Sequence, residues 1–346
     1  MNEGDKLPPA APEAARRDVA TPQRRTDPDA SQRTRRASGP ATRIKLEVER
    51  GKVVTLDQLP RRSIALDGYV QGPAIDAENE RYSFDHHAGC VRHSTRSTAE
   101  QVRDAIVLGL DPSGFRVFVN DVDLDTGLSV WLLANPHRVL EEIVVDLVNA
   151  AGLLDAHSGA YPMPPGFRRT IEWMSEPETV ARADGSYWML DRHGLEMLLA
   201  DLSRRIDVYT HGEAAPSVAA YQVDERYQIE REGTDWVMVR TVGTRAHAAL
   251  FRDGFKRVVI YRQLPDGTWG YTIAKQSEFV KRFPVEKILA ALAEREIGWG
   301  GGSTVGGAPR RADGSRSRLP PEEVFTIVEG VVLAVRDDVP PTAGSG

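Results

Sequence analysis

Cysteine is almost absent from this sequence, and its scarcity limits the chemistry that the chain can carry. Cys90 is the one cysteine among 346 residues, so no disulfide can form within the chain. A zinc site built on several thiolates is excluded for the same reason. Any metal ion bound by this protein would therefore rest on oxygen and imidazole ligands.

Long apolar runs are missing as well. No stretch approaches the roughly 18 consecutive apolar residues that a membrane-spanning helix needs, and the polar N-terminus lacks the apolar core of a secretory signal. We therefore expect a cytoplasmic protein with no membrane contact. The net charge of -6 disfavours binding to long duplex nucleic acid, because a negative surface repels the phosphate backbone.

Composition and hydrophobic periodicity divide the chain into five segments. Residues 1–43 are rich in small and charged residues and lack large apolar side chains, which predicts a disordered arm. Short strands alternate with helices over 44–170, which predicts an α/β domain with an open, mainly parallel sheet. A helical connector is predicted over 171–224, a smaller α+β domain over 225–335 and a flexible tail over 336–346.

Predicted strands deliver acidic residues at their carboxyl ends. Strands are predicted over 63–67, 81–85 and 115–120, and a helix is predicted to follow from Thr98, whose hydroxyl could cap it with Gln101 three residues on. Ligands collect beyond the carboxyl ends of parallel strands. The candidate metal ligands at these strand ends and at a later helix end are Asp67, Asp85, His86, Asp121, Asp123, Asp125 and Asp155.

These side chains together suit a divalent metal ion. Carboxylate oxygens with added imidazole are typical ligands of manganese, iron or cobalt in sites that hydrolyse phosphoesters. His86 and His87 point in different directions on an extended backbone, so one can bind metal while the other meets the substrate. A lone aspartate would be better explained as a helix cap and a lone histidine as a surface or core residue. Their convergence favours a metal site.

The Asp85-His86-His87 sequence, which follows Tyr82-Ser83-Phe84, resembles the Asp-His-His motif of the DHH phosphoesterases. This family includes RecJ-like nucleases, hydrolases of short oligonucleotides and cyclic dinucleotides, and related pyrophosphatases. Leu66-Asp67-Gly68 stands 18 residues upstream (85 minus 67), where the family has a preceding aspartate motif. Residues 119–129 look like the family's first motif placed after the Asp-His-His, so the resemblance implies a permuted order of site-forming strands.

Two further assignments of these acidic segments stay open. Asp121 and Asp123 could instead belong to the family's fourth motif, and residues 154–159, which contain Asp155, compete for the same role. The resemblance also implies a C-terminal DHH-associated domain, and this domain ends in a glycine-rich loop that holds the substrate's phosphates.

The segment 300–307 is similar to that glycine-rich loop, except that Ser303 stands where the family has histidine. Glycines permit close backbone approach, and their N–H groups can form a nest for an anion. A flexible glycine linker is the competing interpretation. The substrate-binding residues predicted here are Gly300, Gly301, Gly302, Ser303 and Arg310, with Arg96 and Arg92 as phosphate clamps near the Asp-His-His.

The sequence therefore predicts a phosphoesterase that uses two manganese ions to hydrolyse a small phosphodiester, nucleotide or short oligonucleotide. His86, His87 and Arg92 are the predicted catalytic residues. One alternative is a catalytically silent nucleotide-binding or regulatory protein on the same fold. Another is a metal hydrolase that acts on a non-phosphate substrate. Whether the chain forms a homodimer is left open.

Overall fold

The structure is a computed structural model, and it describes residues 42–87, 89–91, 93–157, 161, 163, 165–243, 246–311 and 314–337. Most of the predicted arm and tail therefore lies outside the described residues. These described residues group into one compact unit. Within the described ranges, no helix is both long enough and apolar enough to cross a membrane.

The N-terminal sheet has five strands in the order β1-β5-β2-β4-β3. Strands β1, β5, β2 and β4 are mutually parallel, and β3 is antiparallel to β4. Strand β2 is buried along its whole length because both faces of the sheet are covered, as its continuous apolar run predicts. The strands are β1 (Lys45–Val48), β2 (Ser63–Leu66), β3 (Ala74–Asp76), β4 (Arg81–Phe84) and β5 (Arg116–Val119).

The position of β5 matters most for the candidate site. It pairs with β1 on one side and β2 on the other, with Leu66 of β2 in register with both Val119 of β5 and Phe84 of β4. The segments that follow these three parallel strands therefore emerge at one edge of the sheet. Residues far apart in the sequence meet there.

Helices pack around this sheet, and the first begins differently from the prediction. Ser97, not Thr98, is the N-cap: its side chain accepts from the N–H of Glu100, whose carboxylate in turn accepts from the N–H of Ser97. This capping box leaves the Thr98 hydroxyl available for another partner. The helices are α1 (Thr98–Val107), α2 (Leu124–Ala134), α3 (Glu142–His157), α4 (Pro165–Met174), α5 (Glu176–Asp184), α6 (Arg192–Thr210) and α7 (Ala215–Ala220).

The C-terminal sheet has six strands in the order β10-β11-β9-β8-β7-β6. All neighbours are antiparallel except β7 and β8, which are parallel and connected through helix α8. The strands are β6 (Tyr227–Gly233), β7 (Trp236–Thr241), β8 (Arg257–Gln263), β9 (Trp269–Lys275), β10 (Gly300–Gly301) and β11 (Val305–Gly307), and the helices are α8 (Ala246–Arg252), α9 (Val285–Arg295) and α10 (Pro321–Asp337).

Alternation along β7 explains how this sheet is covered on both faces. Trp236 and Met238 pack in one apolar cluster with residues of α9 and α10, whereas Val237 and Val239 pack in another with Leu250 of α8. The expectation of a mixed α/β protein is therefore confirmed, with two multi-stranded sheets and helices around both.

Candidate metal centre

Acidic and histidine side chains gather at the carboxyl ends of β2, β4 and β5. Asp67 directly follows β2, Asp85 directly follows β4, and the segment after β5 leads into helix α2. Asp67 has a φ of 54°, so the chain turns sharply as soon as the strand ends. The open edge of the parallel sheet thus brings together residues from three separate segments.

Two overlapping groups of side chains at this edge could hold a metal ion. One consists of Asp67, His86 and His87, and the other of His86, Asp125 and Asp155; in each group the potential ligand atoms lie within 4.8 Å of one another. The shared His86 is fully buried. Its Nε2 lies 2.8 Å from Asp155 Oδ2, 3.6 Å from Asp67 Oδ1 and 3.9 Å from Asp125 Oδ2.

Hydrogen bonds from α1 and α2 hold two of these carboxylates in place. Asp67 Oδ1 accepts from the Thr98 hydroxyl at 2.9 Å, and its Oδ2 accepts from the Thr126 hydroxyl at 3.2 Å. Asp125 accepts from the backbone N–H groups of Thr98 and Ala99 at 2.7 and 3.1 Å, where the α1 N-terminus favours negative charge. Such partners fix the orientation of ligand carboxylates.

Sequence reasoning missed the part played by both threonines. The Thr98 hydroxyl was predicted to cap the helix. No role was predicted for Thr126, although it directly follows Asp125 in the acidic segment. A hydroxyl one residue after a candidate ligand was the available signal for Thr126. For Thr98, the signal that the cap lay elsewhere was Ser97, which directly precedes it, with Glu100 three residues after Ser97.

Asp85 orients His87 and belongs to neither ligand group. Its Oδ1 lies 2.8 Å from His87 Nδ1 and accepts from the His87 N–H at 3.1 Å, while its Oδ2 accepts from the Gly72 N–H at 2.7 Å. The His87 side chain is 45% exposed, in contrast to buried His86. Asp85 thereby fixes the ring of His87, with Nδ1 occupied and Nε2 left for another partner.

The shifted pKa values at the site indicate more carboxylate charge than its own histidines neutralise. Burial raises the pKa of Asp125 to about 8, and the carboxylates of Asp155 and Asp67 add to the effect. Burial and the Asp67 carboxylate raise the pKa of Asp123 well above its usual range. Burial lowers the pKa of His87, but the bond to Asp85 and the charges of Asp67 and Asp85 together outweigh it, and the net value rises to about 10. A divalent cation would supply the missing positive charge.

Asp123 and Asp121 are placed differently although they are two residues apart. Asp123 is the N-cap of α2 and accepts from the Thr126 N–H at 2.9 Å. Asp121 accepts from Arg182 Nη2 at 3.0 Å and from the Tyr187 hydroxyl. The structure does not bring Asp121 into either described ligand group, because the Arg182 guanidinium and the Tyr187 hydroxyl already surround its Oδ1.

A cavity of about 1120 Å³ adjoins the candidate ligands. Asp67, His87, Asp123, Asp125 and Asp155 line it, together with cationic Arg182 and Arg310 and aromatic Trp188. Arg310 was predicted to bind substrate, and the structure places it at this cavity. Arg182 and Trp188 gave no sequence signal, because they come from the predicted connector with no motif around them.

The other predicted substrate residues lie elsewhere. Arg96 pairs with Asp104 at 3.1 Å and has a side chain that is 56% exposed. Gly300 and Gly301 form β10, and a Cβ at Gly301 would lie 2.2 Å from the Cα of Gly306, so this glycine allows close strand pairing. Of the described residues that line the cavity, none comes from the segment 300–303. Arg92 lies outside the described residues, and its predicted role stays a prediction.

Comparison with known proteins adds no identification. No family model matches this chain, and no curated protein matches it significantly. The geometry of the site therefore carries the functional argument.

Proposed function

We propose that this protein is a metal-dependent phosphoesterase, similar to the DHH phosphoesterases, which hydrolyses a small phosphodiester, nucleotide or short oligonucleotide. The supporting observation is a pair of ligand groups that share His86 beside a cavity that also carries arginines. The N-terminal parallel sheet would then be the core of the catalytic domain. Acidic metal ligands facing cationic side chains across one cavity suit a phosphate group better than a neutral substrate.

The donor set fits manganese. Carboxylates with imidazole are the ligand mixture that this ion accepts, and the buried His86 Nδ1 has no hydrogen-bond partner among the described residues. Two such ions, when bound, polarise the phosphoryl group and generate hydroxide from water at neutral pH. The residues that would hold them are those of the two ligand groups, Asp67, His86, His87, Asp125 and Asp155, together with Asp123, which lines the same cavity.

The chain's own residues then position the substrate. Arg182 and Arg310 can bind non-bridging phosphate oxygens, since a guanidinium matches two oxygens at once. Asp85 occupies Nδ1 of His87, so His87 would use Nε2 either to bind a metal ion or, where it binds none, to hand a proton to the leaving oxygen. A short substrate agrees with a cavity of about 1120 Å³ and with the net charge of -6.

Asp67→Asn is the sharpest test of this proposal. The hydroxyls of Thr98 and Thr126 can rotate to accept from an amide, and asparagine tolerates a φ of 54°, so the fold should be kept. Loss of one ligand charge should lower Mn²⁺-dependent hydrolysis of bis-p-nitrophenyl phosphate and of dinucleotides at least about 100-fold. Asp57→Asn, in the exposed 3₁₀ turn Leu56–Gln58, is the matched control and should keep full activity.

The outcomes separate the three functions that the sequence allowed. Tight Mn²⁺ binding without turnover of any phosphoester would favour a silent nucleotide-binding protein. Bound Mn²⁺ with hydrolysis of carboxylic esters or amides instead would favour a non-phosphate hydrolase. Absence of metal binding in the wild type would contradict both hydrolase functions.

A further inference from the structure

A second cavity, of about 610 Å³, is lined by four arginines. Arg182 comes from α5, Arg262 from β8, and Arg310 and Arg316 from the segment between β11 and α10. Arg262 donates through Nη2 to the backbone carbonyl of Arg182 at 3.0 Å, so its side chain lies against the α5 backbone. This concentration of positive charge in one cavity is unusual for a chain with a net charge of -6.

The carboxylates that line this cavity do not neutralise the cluster. Glu178 pairs with Arg182 at 2.7 Å, and Asp121 also pairs with Arg182. Asp184 accepts from the Ser186 N–H, and Asp266 accepts from the N–H and hydroxyl of Thr268. Within the described part of the chain, no carboxylate oxygen lies within 4.0 Å of a guanidinium nitrogen of the remaining three residues, Arg262, Arg310 and Arg316.

Burial makes this excess of positive charge costly. Burial, together with the guanidinium groups of Arg310 and Arg262, lowers the pKa of Arg316 to about 10. Burial also lowers the pKa of Arg310, with a smaller opposing effect of Asp121. The Nε of Arg316 is buried and has no hydrogen-bond partner among the described residues. Arg262 and Arg316 are partly buried and Arg310 is exposed on one side, so an anion placed between these cations would relieve their mutual repulsion and accept from their free donors.

This arginine cluster also adjoins the candidate metal centre. Glu178, Arg182, Trp188 and Arg310 line both cavities. The Arg310 guanidinium carbon lies 5.4 Å from the centre of the Trp188 ring, which supports its position between the two. A ligand that occupies one cavity can therefore extend into the other.

We propose that Arg262 and Arg316, with Arg310 shared between the two cavities, form a binding site for a second phosphate-type anion beside the group held at the metal centre. The site takes a phosphate monoester or free phosphate, since three guanidinium forks match its tetrahedral oxygens. This anion site can be present whether or not the protein hydrolyses a phosphoester. That the phosphate belongs to the substrate rests on the proposed function.

The binding test uses the full chain in EDTA, so that the metal centre makes no contribution. Inorganic phosphate should bind to the wild type in calorimetry at constant ionic strength, with chloride as the comparison anion. Arg316→Gln should weaken this binding at least about tenfold, since it removes a charged bidentate partner. Arg295→Gln removes an exposed arginine that pairs with Glu323 on the far helices, and it should leave the affinity unchanged.

Stability without ligand distinguishes an anion site from an ordinary structural arginine. In phosphate-free buffer, Arg316→Gln should unfold at the same temperature as the wild type or higher, because it relieves repulsion among the arginines. A lower unfolding temperature, or phosphate binding equal to that of the wild type, would overturn the proposal. So would the absence of phosphate binding to the wild type at millimolar concentrations.

A second experiment, which measures KM for two dinucleotides, tests whether the bound phosphate belongs to the substrate. If it is part of the substrate, Arg316→Gln should raise KM for a dinucleotide that carries a terminal phosphate and leave KM for the unphosphorylated dinucleotide unchanged. If free phosphate is the ligand, both substrates should respond alike. Should no dinucleotide be hydrolysed by the wild type, the proposed function fails while the calorimetric result still decides on the anion site.

Discussion

At the scale of single residues, Asp67 and Asp121 are both aspartates near strand ends but differ in their partners. Asp67 accepts from two neutral hydroxyls and lies near His86, whereas Asp121 contacts the Arg182 guanidinium and the Tyr187 hydroxyl. Burial raises the pKa of Asp121, but the charge of Arg182 and the hydrogen bonds from Arg182 and Tyr187 together outweigh it, and the net value falls. Asp121 is thus already neutralised, and Asp67 is not.

We therefore expect Asp121→Asn and Asp67→Asn to have opposite effects. Asp121→Asn should lower the free energy of unfolding by about 1–2 kcal/mol, since it leaves Arg182 with one partner fewer, yet change Mn²⁺ affinity by less than about threefold. Asp67→Asn should abolish tight Mn²⁺ binding and leave the stability of the metal-free protein unchanged or higher. Urea unfolding in EDTA and calorimetry with MnCl₂ measure the two quantities.

The control for both variants is Asp57→Asn, which changes the same atoms on an exposed turn and should alter neither quantity. If Asp121→Asn instead lost Mn²⁺ binding to the same degree as Asp67→Asn, then Asp121 would be a ligand and not a positioning residue for Arg182.

The residues of this site differ in how far the sequence could predict them. Asp67, His86, Asp125 and Asp155 were predicted because each was expected at or just past the end of a strand or helix, and strand ends are where ligands gather. The role of Arg182 could not be predicted: it lies 61 residues beyond its partner Asp121 in a helix without a motif. A contact between such distant segments depends on tertiary packing, which periodicity does not encode.

At the scale of elements, helix α10 is tied to the turn between β6 and β7 through Glu329. Its carboxylate accepts from the N–H and hydroxyl of Thr234 and, at 2.6 Å, from Trp236 Nε1. Burial raises the pKa of Glu329, but these hydrogen bonds outweigh it and the net value falls. A carboxyl group with a lowered folded-state pKa stabilises the protein above its unfolded-state pKa, and this contribution is lost as the pH falls through the folded-state value.

Glu329→Gln should therefore destabilise the protein in a pH-dependent way. At pH 7 we expect a loss of about 1–2 kcal/mol, because an amide N–H₂ would oppose the Trp236 N–H. The difference from the wild type should shrink as the pH falls below about 4.3, the unperturbed pKa of glutamate. Urea unfolding followed by tryptophan fluorescence at several pH values measures it.

Glu322→Gln, at an exposed position on the same helix, is the control and should show little effect at any pH. A difference between Glu329→Gln and the wild type that stayed constant down to pH 3 would contradict the argument from the Glu329 carboxylate.

Elements were predicted well where the pattern is local. The strands β2, β4 and β5 occur where the strands over 63–67, 81–85 and 115–120 were predicted. The region 300–307 shows the limit of such reasoning, since its glycines were predicted to form a phosphate-holding loop. The structure instead pairs Gly300 with Gly307 and Gly301 with Gly306 in a short hairpin. A glycine signals close backbone approach, but the sequence does not say whether a ligand or another strand approaches.

At the scale of the whole molecule, the candidate metal centre joins segments between residues 67 and 155. Its ligands follow β2 and β4, begin α2 and end α3. The unfolded chain cannot hold these groups together, so a metal ion that binds them binds the folded state. The raised pKa values of Asp67, Asp123 and Asp125, caused by burial and mutual repulsion, indicate that the folded state without metal carries an electrostatic cost.

Removal of metal should therefore lower the stability of the entire described unit. At a Mn²⁺ concentration 100 times Kd, linkage predicts a gain of about 2.7 kcal/mol, which corresponds to a rise in Tm of roughly 4 °C for a chain of this size. Differential scanning calorimetry in EDTA and in MnCl₂ should show this rise for the wild type and none for Asp67→Asn. CaCl₂ at equal concentration controls for screening, and it should act more weakly because imidazole is a poor ligand for calcium. An equal rise with both salts, or one that persists in Asp67→Asn, would mean that general cation screening stabilises the acidic edge without a specific metal site.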